Sequence, residues 1–112
     1  MNTKSAKAKG RRLQDWVAAK ILHHFPNLTK DDVRPAIMGE TGADIKLSAR
    51  ALGPFPYQVE CKNQEGFKKV YDAYEQAKTH GGSEPLLIIK SNRKQALAIV
   101  DAAHFFSEAA VR

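Results

Sequence analysis

Asp44, Glu60 and Lys62 are the residues of this chain whose types and spacing can do chemistry together. Glu60 and Lys62 stand two apart in Tyr57-Gln58-Val59-Glu60-Cys61-Lys62. In a strand, residues i and i+2 share a face, so the carboxylate and the ammonium project together while Tyr57, Val59 and Cys61 project the other way. Asp44 alternates in the same manner, with Lys46 and Ser48 on its face and Ile45 and Leu47 on the opposite one. Between the two segments, Gly53-Pro54-Phe55-Pro56 reads as a hairpin turn that would bring Asp44 opposite Glu60. Two carboxylates beside one lysine suit phosphodiester hydrolysis. A hard divalent ion takes oxygen ligands, and the pentavalent phosphorus carries extra negative charge that must be neutralised. Asp44, Glu60 and the backbone carbonyl of Cys61 would hold Mg2+ (or Mn2+). Lys62 would orient or deprotonate the attacking water, or stabilise the developing charge. On an exposed strand the same Glu-x-Lys tripeptide is also an ordinary solvated charge pair. The surrounding order distinguishes it: a helix, an Asp opening a strand, a turn, apolar-Glu-Cys-Lys, then another helix.

The elements that must position these groups follow from hydrophobic periodicity. Residues 8–24 read as a helix ended by Phe25-Pro26-Asn27, with Leu13, Trp16, Val17 and Ile21 as its apolar stripe. On that wheel Gln14 lies at the edge of the stripe, where it contacts the site or borders the core, and Asp15 points nearly the opposite way. Residues 31–37 read as a loop or short extended piece. Phe67, Val70, Tyr71, Tyr74 and Ala77 recur at helical spacing, and His80-Gly81-Gly82 supplies the stop. Residues 85–90 form an apolar run expected of a strand covered on both faces, with residues 96–100 as its hairpin neighbour. A short helix with Phe105, Phe106 and Ala109 closes the chain. The expected fold is α/β (α+β): a mixed central β-sheet of about four strands flanked by helices, as one domain over residues 1–112, with residues 1–8 a flexible basic arm.

Composition bounds the partners. At 112 residues and 12.4 kDa the chain is long enough for a single core. No apolar run is long enough to span a bilayer, and the N-terminus lacks the apolar segment of a secretory signal, so a cytoplasmic location and no membrane contact are expected. The net charge of +6 and pI near 9.6 point to a polyanion. Lys4, Lys7, Lys9, Arg11 and Arg12 precede the first acidic residue, Asp15, and can track phosphates. Arg34, and Arg93 with Lys94 beside Lys90, are further phosphate candidates. Such contacts position a duplex without reading its bases. The single cysteine, Cys61, makes no internal disulfide and is read as a small apolar residue on the buried face of its strand. His23 and His24 adjoin a helix end and suit its dipole, and His80 and His104 have no ligand-spaced partners. There is no zinc signature, phosphate-binding glycine loop, dinucleotide fingerprint or nucleophile constellation, so no nucleotide cofactor is expected.

Taken together, Lys9-Gly10 with Leu13-Gln14, then Gly42-Ala43-Asp44-Ile45, then Val59-Glu60-Cys61-Lys62-Asn63, resemble the PD-(D/E)XK nuclease superfamily. Within it, the order is similar to the small phage and archaeal Holliday-junction resolvase-like endonucleases, from about Lys9 to near Asp101. The resemblance implies a restriction-endonuclease-like core and a Mg2+-dependent endodeoxyribonuclease in a bacterial or phage-infected host cell. It also implies a preference for branched DNA; symmetric cutting of a four-way junction needs two active sites, hence a homodimer. Nicking or restriction- and repair-like cleavage of linear DNA is the alternative within enzymes. The other alternative is a catalytically weak DNA-binding module of the same fold. One departure bears on this: the family often carries a glutamate where Gln14 stands, so an acidic ligand is missing unless Asp15 or Glu40 substitutes. Glu40, in the loop before Asp44, would then be an outer carboxylate or an ordinary loop residue. Related nucleases also often place a glutamine in the helix after the lysine strand; here Gln76 lies opposite the apolar stripe, on the face of Lys69. Tyr71 and Tyr74 either stack on bases or pack in the core. Phe105 and Phe106 either form a dimer surface or complete the core.

Overall fold

The first helix is built by strong helix formers, with Ala and Lys repeated through its first turns and one interior glycine, Gly10, at a cost of about 1 kcal/mol relative to alanine. In the computed structural model, which describes residues 3–111, α1 runs Thr3–His24. It therefore begins five residues before the start expected from apolar periodicity, because lysine and alanine sustain a helix without an apolar stripe. It ends where Pro26 biases Phe25 away from helical geometry. Val17, Ala18, Ile21 and Phe25 are its buried residues, while Trp16 remains 39% exposed and meets Phe106 edge-on at 6.1 Å.

The remaining elements are β1 (Val33–Pro35), β2 (Ile45–Leu47), α2 (Ala49–Leu52), a 3-10 turn (Glu65–Phe67), α3 (Lys68–Lys78), β3 (Leu87–Ile89), β4 (Leu97–Ile99) and α4 (Ala102–Ala110). The fold is mixed α+β, with four helices and two two-stranded antiparallel sheets among the described residues. The expected hairpin between residues 44–48 and 57–62 does not form. Instead β2 pairs with β1, in the register Val33↔Leu47, Arg34↔Lys46, Pro35↔Ile45. Two local features explain the exchange. Ser48 caps α2 by accepting from the Ala51 amide at 3.1 Å, so the chain turns into a helix where a hairpin was expected. Asp32 then ties β2 to the segment before β1: its carboxylate accepts from Ser48 Oγ at 2.8 Å, Arg50 at 2.6 Å and the Thr29 amide at 2.9 Å, and its carbonyl accepts from the Ser48 amide at 2.8 Å. These bonds hold the Asp32 carboxyl below its ordinary value of 3.8, the Thr29 amide contributing most, then Ser48, then Arg50, against the opposing effect of burial.

Contacts divide the chain into two units, Met1–Gln64 with Phe106–Arg112, and Glu65–Phe105. The core lies in the first. Phe55, Ile21, Ile45 and Val33 are its largest fully buried side chains. The Phe55 ring meets Phe25 at 5.7 Å, Tyr57 at 4.8 Å and Phe106 at 5.9 Å, so the segment leading to Glu60 is anchored by an aromatic cluster. Phe106 thus completes the core rather than remaining available on a surface.

In the second unit the expected hairpin is present, with β3 and β4 in the register Leu87↔Ile99, Ile88↔Ala98, Ile89↔Leu97. Its strands are not covered on both faces: Ile88 is 57% and Leu97 51% exposed. One sheet of four strands is replaced by two ladders of three residue pairs each. Tyr71 of α3 is 65% exposed, and Tyr74 is half-buried beneath the Lys78 ammonium at 5.7 Å from the ring centre. Asp101 opens α4 by accepting from the His104 amide at 2.9 Å.

Candidate functional site

The chain still brings Asp44 to the Glu60 segment, without a strand ladder. Residues 57–62 form no regular element, and one backbone bond joins the segments, the Asp44 amide donating to the Val59 carbonyl at 2.8 Å. The return bond is made by a side chain: the Cys61 amide donates to Asp44 Oδ2 at 2.7 Å. Asp44 is half-buried, and its second oxygen, Oδ1, makes no bond among the described residues.

Glu60 and Lys62 share a face, as the i, i+2 spacing predicts. Lys62 Nζ lies 3.5 Å from Glu60 Oε2, and both side chains are about two-thirds exposed, at 64% and 63%. Cys61 is half-buried rather than buried. Burial pushes its thiol above the ordinary value of 9.0, and the negative charges of Asp44 and then Glu60 push it further. Both carboxylates thus lie near enough to the Cys61 thiol to disfavour its thiolate.

Gln14 and Asp44 line the same open cleft, about 620 Å3 in volume, between one face of α1 and residues 35–40. Lys7 and Arg11 lie on that helical face, and Asp15 also reaches the cleft, although the helical wheel directed it away. Adjacent helix positions are only about 100° apart, so a cleft this wide takes in both Gln14 and Asp15. Lys9 and Arg12 do not line it; the Lys9 carbonyl instead accepts from Asn63 Nδ2 at 3.3 Å, which pins the chain just past Lys62 to α1.

Glu40 and Arg34 are committed to each other. Arg34 donates through both terminal nitrogens to the two Glu40 oxygens, at 3.0 and 2.9 Å, and Glu40 Oε1 also accepts from the Ile37 amide at 3.0 Å. The Arg34 bond, then the Ile37 amide, hold the Glu40 carboxyl down to about 2 from an ordinary 4.5. Glu40 is thus a brace for its loop, and Arg34 reaches a phosphate only by leaving it. Gln76, Arg93 and Lys94 belong to the second unit. Gln76 is exposed, with its carbonyl accepting from Thr79, and Arg93 and Lys94 flank a separate hollow at the β3–β4 turn, where Arg93 has φ +63°.

Sequence reading missed Lys46 and the turn at residues 37–40. Lys46 shares the face of Asp44, and its Nζ donates to the Thr41 carbonyl, bridging the turn that enters β2. Gly42 there has φ +92°, and a Cβ would come within 2.9 Å of Lys46 Nζ. The alternation of Asp44, Lys46 and Ser48 was the available signal. Among the described residues no group of three or more His, Cys, Asp or Glu side chains is gathered to hold a metal ion. The oxygen donors the sequence nominates, Asp44, Glu60 and the Cys61 carbonyl, are of the kind a hard ion takes, and Mg2+ commonly takes only one or two carboxylates with waters and phosphate oxygens. No protein-family model, curated protein or solved structure matches this chain.

Proposed function

We propose that the protein is a divalent-metal-dependent DNA endonuclease of the PD-(D/E)XK type that acts on branched DNA such as a four-way junction, as a homodimer. The observation that carries this reading is the bond from the Cys61 amide to Asp44 Oδ2, which sets the first carboxylate against the Glu60-Cys61-Lys62 segment. Asp44, Glu60 and the Cys61 carbonyl would hold Mg2+ or Mn2+, and the bound ion supplies Lewis acidity toward the phosphate and a more acidic water. The chain's own groups do the rest. The Cys61 amide fixes the orientation of Asp44 and leaves Oδ1 for the ion. Lys62 orients the water; as the neutral amine it would take the water's proton, or as the ammonium held by Glu60 it would offset the charge on phosphorus while solvent takes the proton. Water oxygen bonds to phosphorus in line as the bond to the 3′ oxygen breaks, and that oxygen takes a proton from solvent, leaving a 5′-phosphate and a 3′-hydroxyl. Gln14, on the cleft wall with Asp44, binds an outer water where an acidic residue would bind the ion directly. Lys7 and Arg11 offer charge to the DNA backbone on that wall.

A second reading, a DNA-binding module with weak catalysis, is favoured by the same Gln14 and by the absence of a three-carboxylate cluster among the described residues. A labelled four-way junction and a linear duplex of the same arms, each with Mg2+ and with chelator, decide between them. Paired symmetric cuts in the junction alone support the resolvase reading. Equal nicking of both keeps the nuclease chemistry and removes the junction preference. Binding without divalent-dependent cleavage of any DNA form leaves the binding module.

A further inference from the structure

The turn at residues 37–40 presents two apolar side chains to water and spends several hydrogen bonds holding them there. The Glu40 amide donates to the Ile37 carbonyl at 3.0 Å, closing a β-turn with Gly39 at φ +84°, the positive-φ third position that a type II turn requires. The Glu40 carboxylate accepts the Ile37 amide and is itself clamped by Arg34 through both nitrogens. Ile37 and Met38, at the tip, are each 70% exposed. A braced tip with an isoleucine and a methionine outward gains nothing within its own unit, and it stands on the rim of the cleft that Asp44, Gln14 and the cations Lys7 and Arg11 line.

We propose that Ile37 and Met38 form a wedge that inserts between bases unstacked at a DNA branch point beside the Asp44 cleft. Flat base faces are the apolar surface a polyanion offers, and Ile and Met are among the side chains that part base steps. Lys7 and Arg11 meet the phosphates flanking the opened step; Asp15, Asp44 and Glu40 line the same cleft, Glu40 being neutralised by Arg34, and the attraction to a polyanion comes from these two cations together with the chain's net charge of +6. The wedge lowers the cost of opening a step that is already unpaired, so it favours junctions over continuous duplex. It rests on the DNA-cleaving reading above and adds to it the element that selects DNA shape.

The test uses a four-way junction carrying 2-aminopurine at the branch point, with chelator present so that nothing is cut. Fluorescence reports unstacking and anisotropy reports binding. Wild type should raise the fluorescence on binding. The double variant Ile37→Ser with Met38→Ser should lose that rise and weaken junction affinity about tenfold, the factor that about 1.4 kcal/mol produces, with duplex affinity unchanged. Both positions face water, so circular dichroism should match wild type. Arg34→Gln, which loosens the brace and keeps both apolar side chains, should lose part of the rise. Tight junction binding with no rise, or a double variant equal to wild type, overturns the wedge and leaves the DNA reading standing. A double variant that turns a dimer into a monomer in sedimentation, with the rise intact, assigns the tip to a second copy and also overturns it. No binding to either DNA form by the wild type overturns both.

Discussion

Asp44→Ala and Asp44→Asn should separate the structural role of this carboxylate from its catalytic one. Oδ2 accepts the Cys61 amide at 2.7 Å. A hydrogen bond to a charged acceptor contributes about 1.5–3 kcal/mol, and because Cys61 is half-exposed, water compensates part of the loss, so Asp44→Ala should cost about 1–2 kcal/mol. At roughly 4 °C per kcal/mol this lowers the melting temperature by about 4–8 °C. Asp44→Asn keeps an acceptor oxygen at the same place and exchanges a charge-assisted bond for a neutral one, a loss of about 1 kcal/mol or less. Urea unfolding of the three proteins measures this order. The catalytic role is read from Mg2+ titration of the melting temperature and from junction cleavage. Wild type should gain stability with Mg2+ by mass action, and neither variant should gain stability or cut. If Asp44→Asn and Asp44→Ala unfold alike, the Cys61 bond does not carry the stated energy. If Asp44→Asn cuts at the wild-type rate, the charge has no part in catalysis.

Glu60→Gln and Lys62→Ala, whose side chains are mostly exposed, should leave unfolding within about 0.5 kcal/mol of wild type and abolish cleavage; a fall in stability with activity retained would reverse that assignment. Phe55→Ala removes a ring that is 1% exposed and contacts three other aromatic rings, and should cost about 3–5 kcal/mol in urea unfolding. The Cys61 thiol, pushed up first by burial and then by two carboxylates, should react with iodoacetamide at pH 8 more slowly than a small-molecule thiol, and Asp44→Asn should speed it; equal rates for variant and wild type would remove Asp44 as a cause. The Glu40 carboxyl is lowered in the folded chain, so its contribution is complete above about pH 4.5 and lost as pH falls toward about 2. Amide exchange at Ile37 followed by NMR should show protection falling across that window and steady above it, and Glu40→Gln should show weak protection at every pH.

Local spacing was enough to place Glu60 and Lys62 on one face, to pair residues 87–89 with 97–99, and to end α1 before Pro26, because each depends on neighbours within a few residues. Gln14 was legible as a residue at the edge of the apolar stripe of α1, and it lines the cleft with Asp44. The partner of β2 was not legible. Residues 57–62 carry the better strand pattern, yet β1 takes the ladder because Asp32, 16 residues from Ser48, collects bonds from Ser48, Arg50 and Thr29 that no periodicity records. From sequence Glu40 reads as an ordinary loop residue sooner than as an outer carboxylate, and the structure gives it a specific partner that spacing does not show, Arg34 six residues away with both nitrogens upon it. Sequence by itself determined the alternation of side chains within a segment, since backbone geometry repeats every two or 3.6 residues, but not which of those faces a neighbour covers, as Ile88 and Leu97 show. Tertiary structure alone decided that β2 meets β1 and not residues 57–62, since that choice turns on polar contacts between distant residues whose geometry exists only once the core around Phe55, Ile21 and Ile45 has closed.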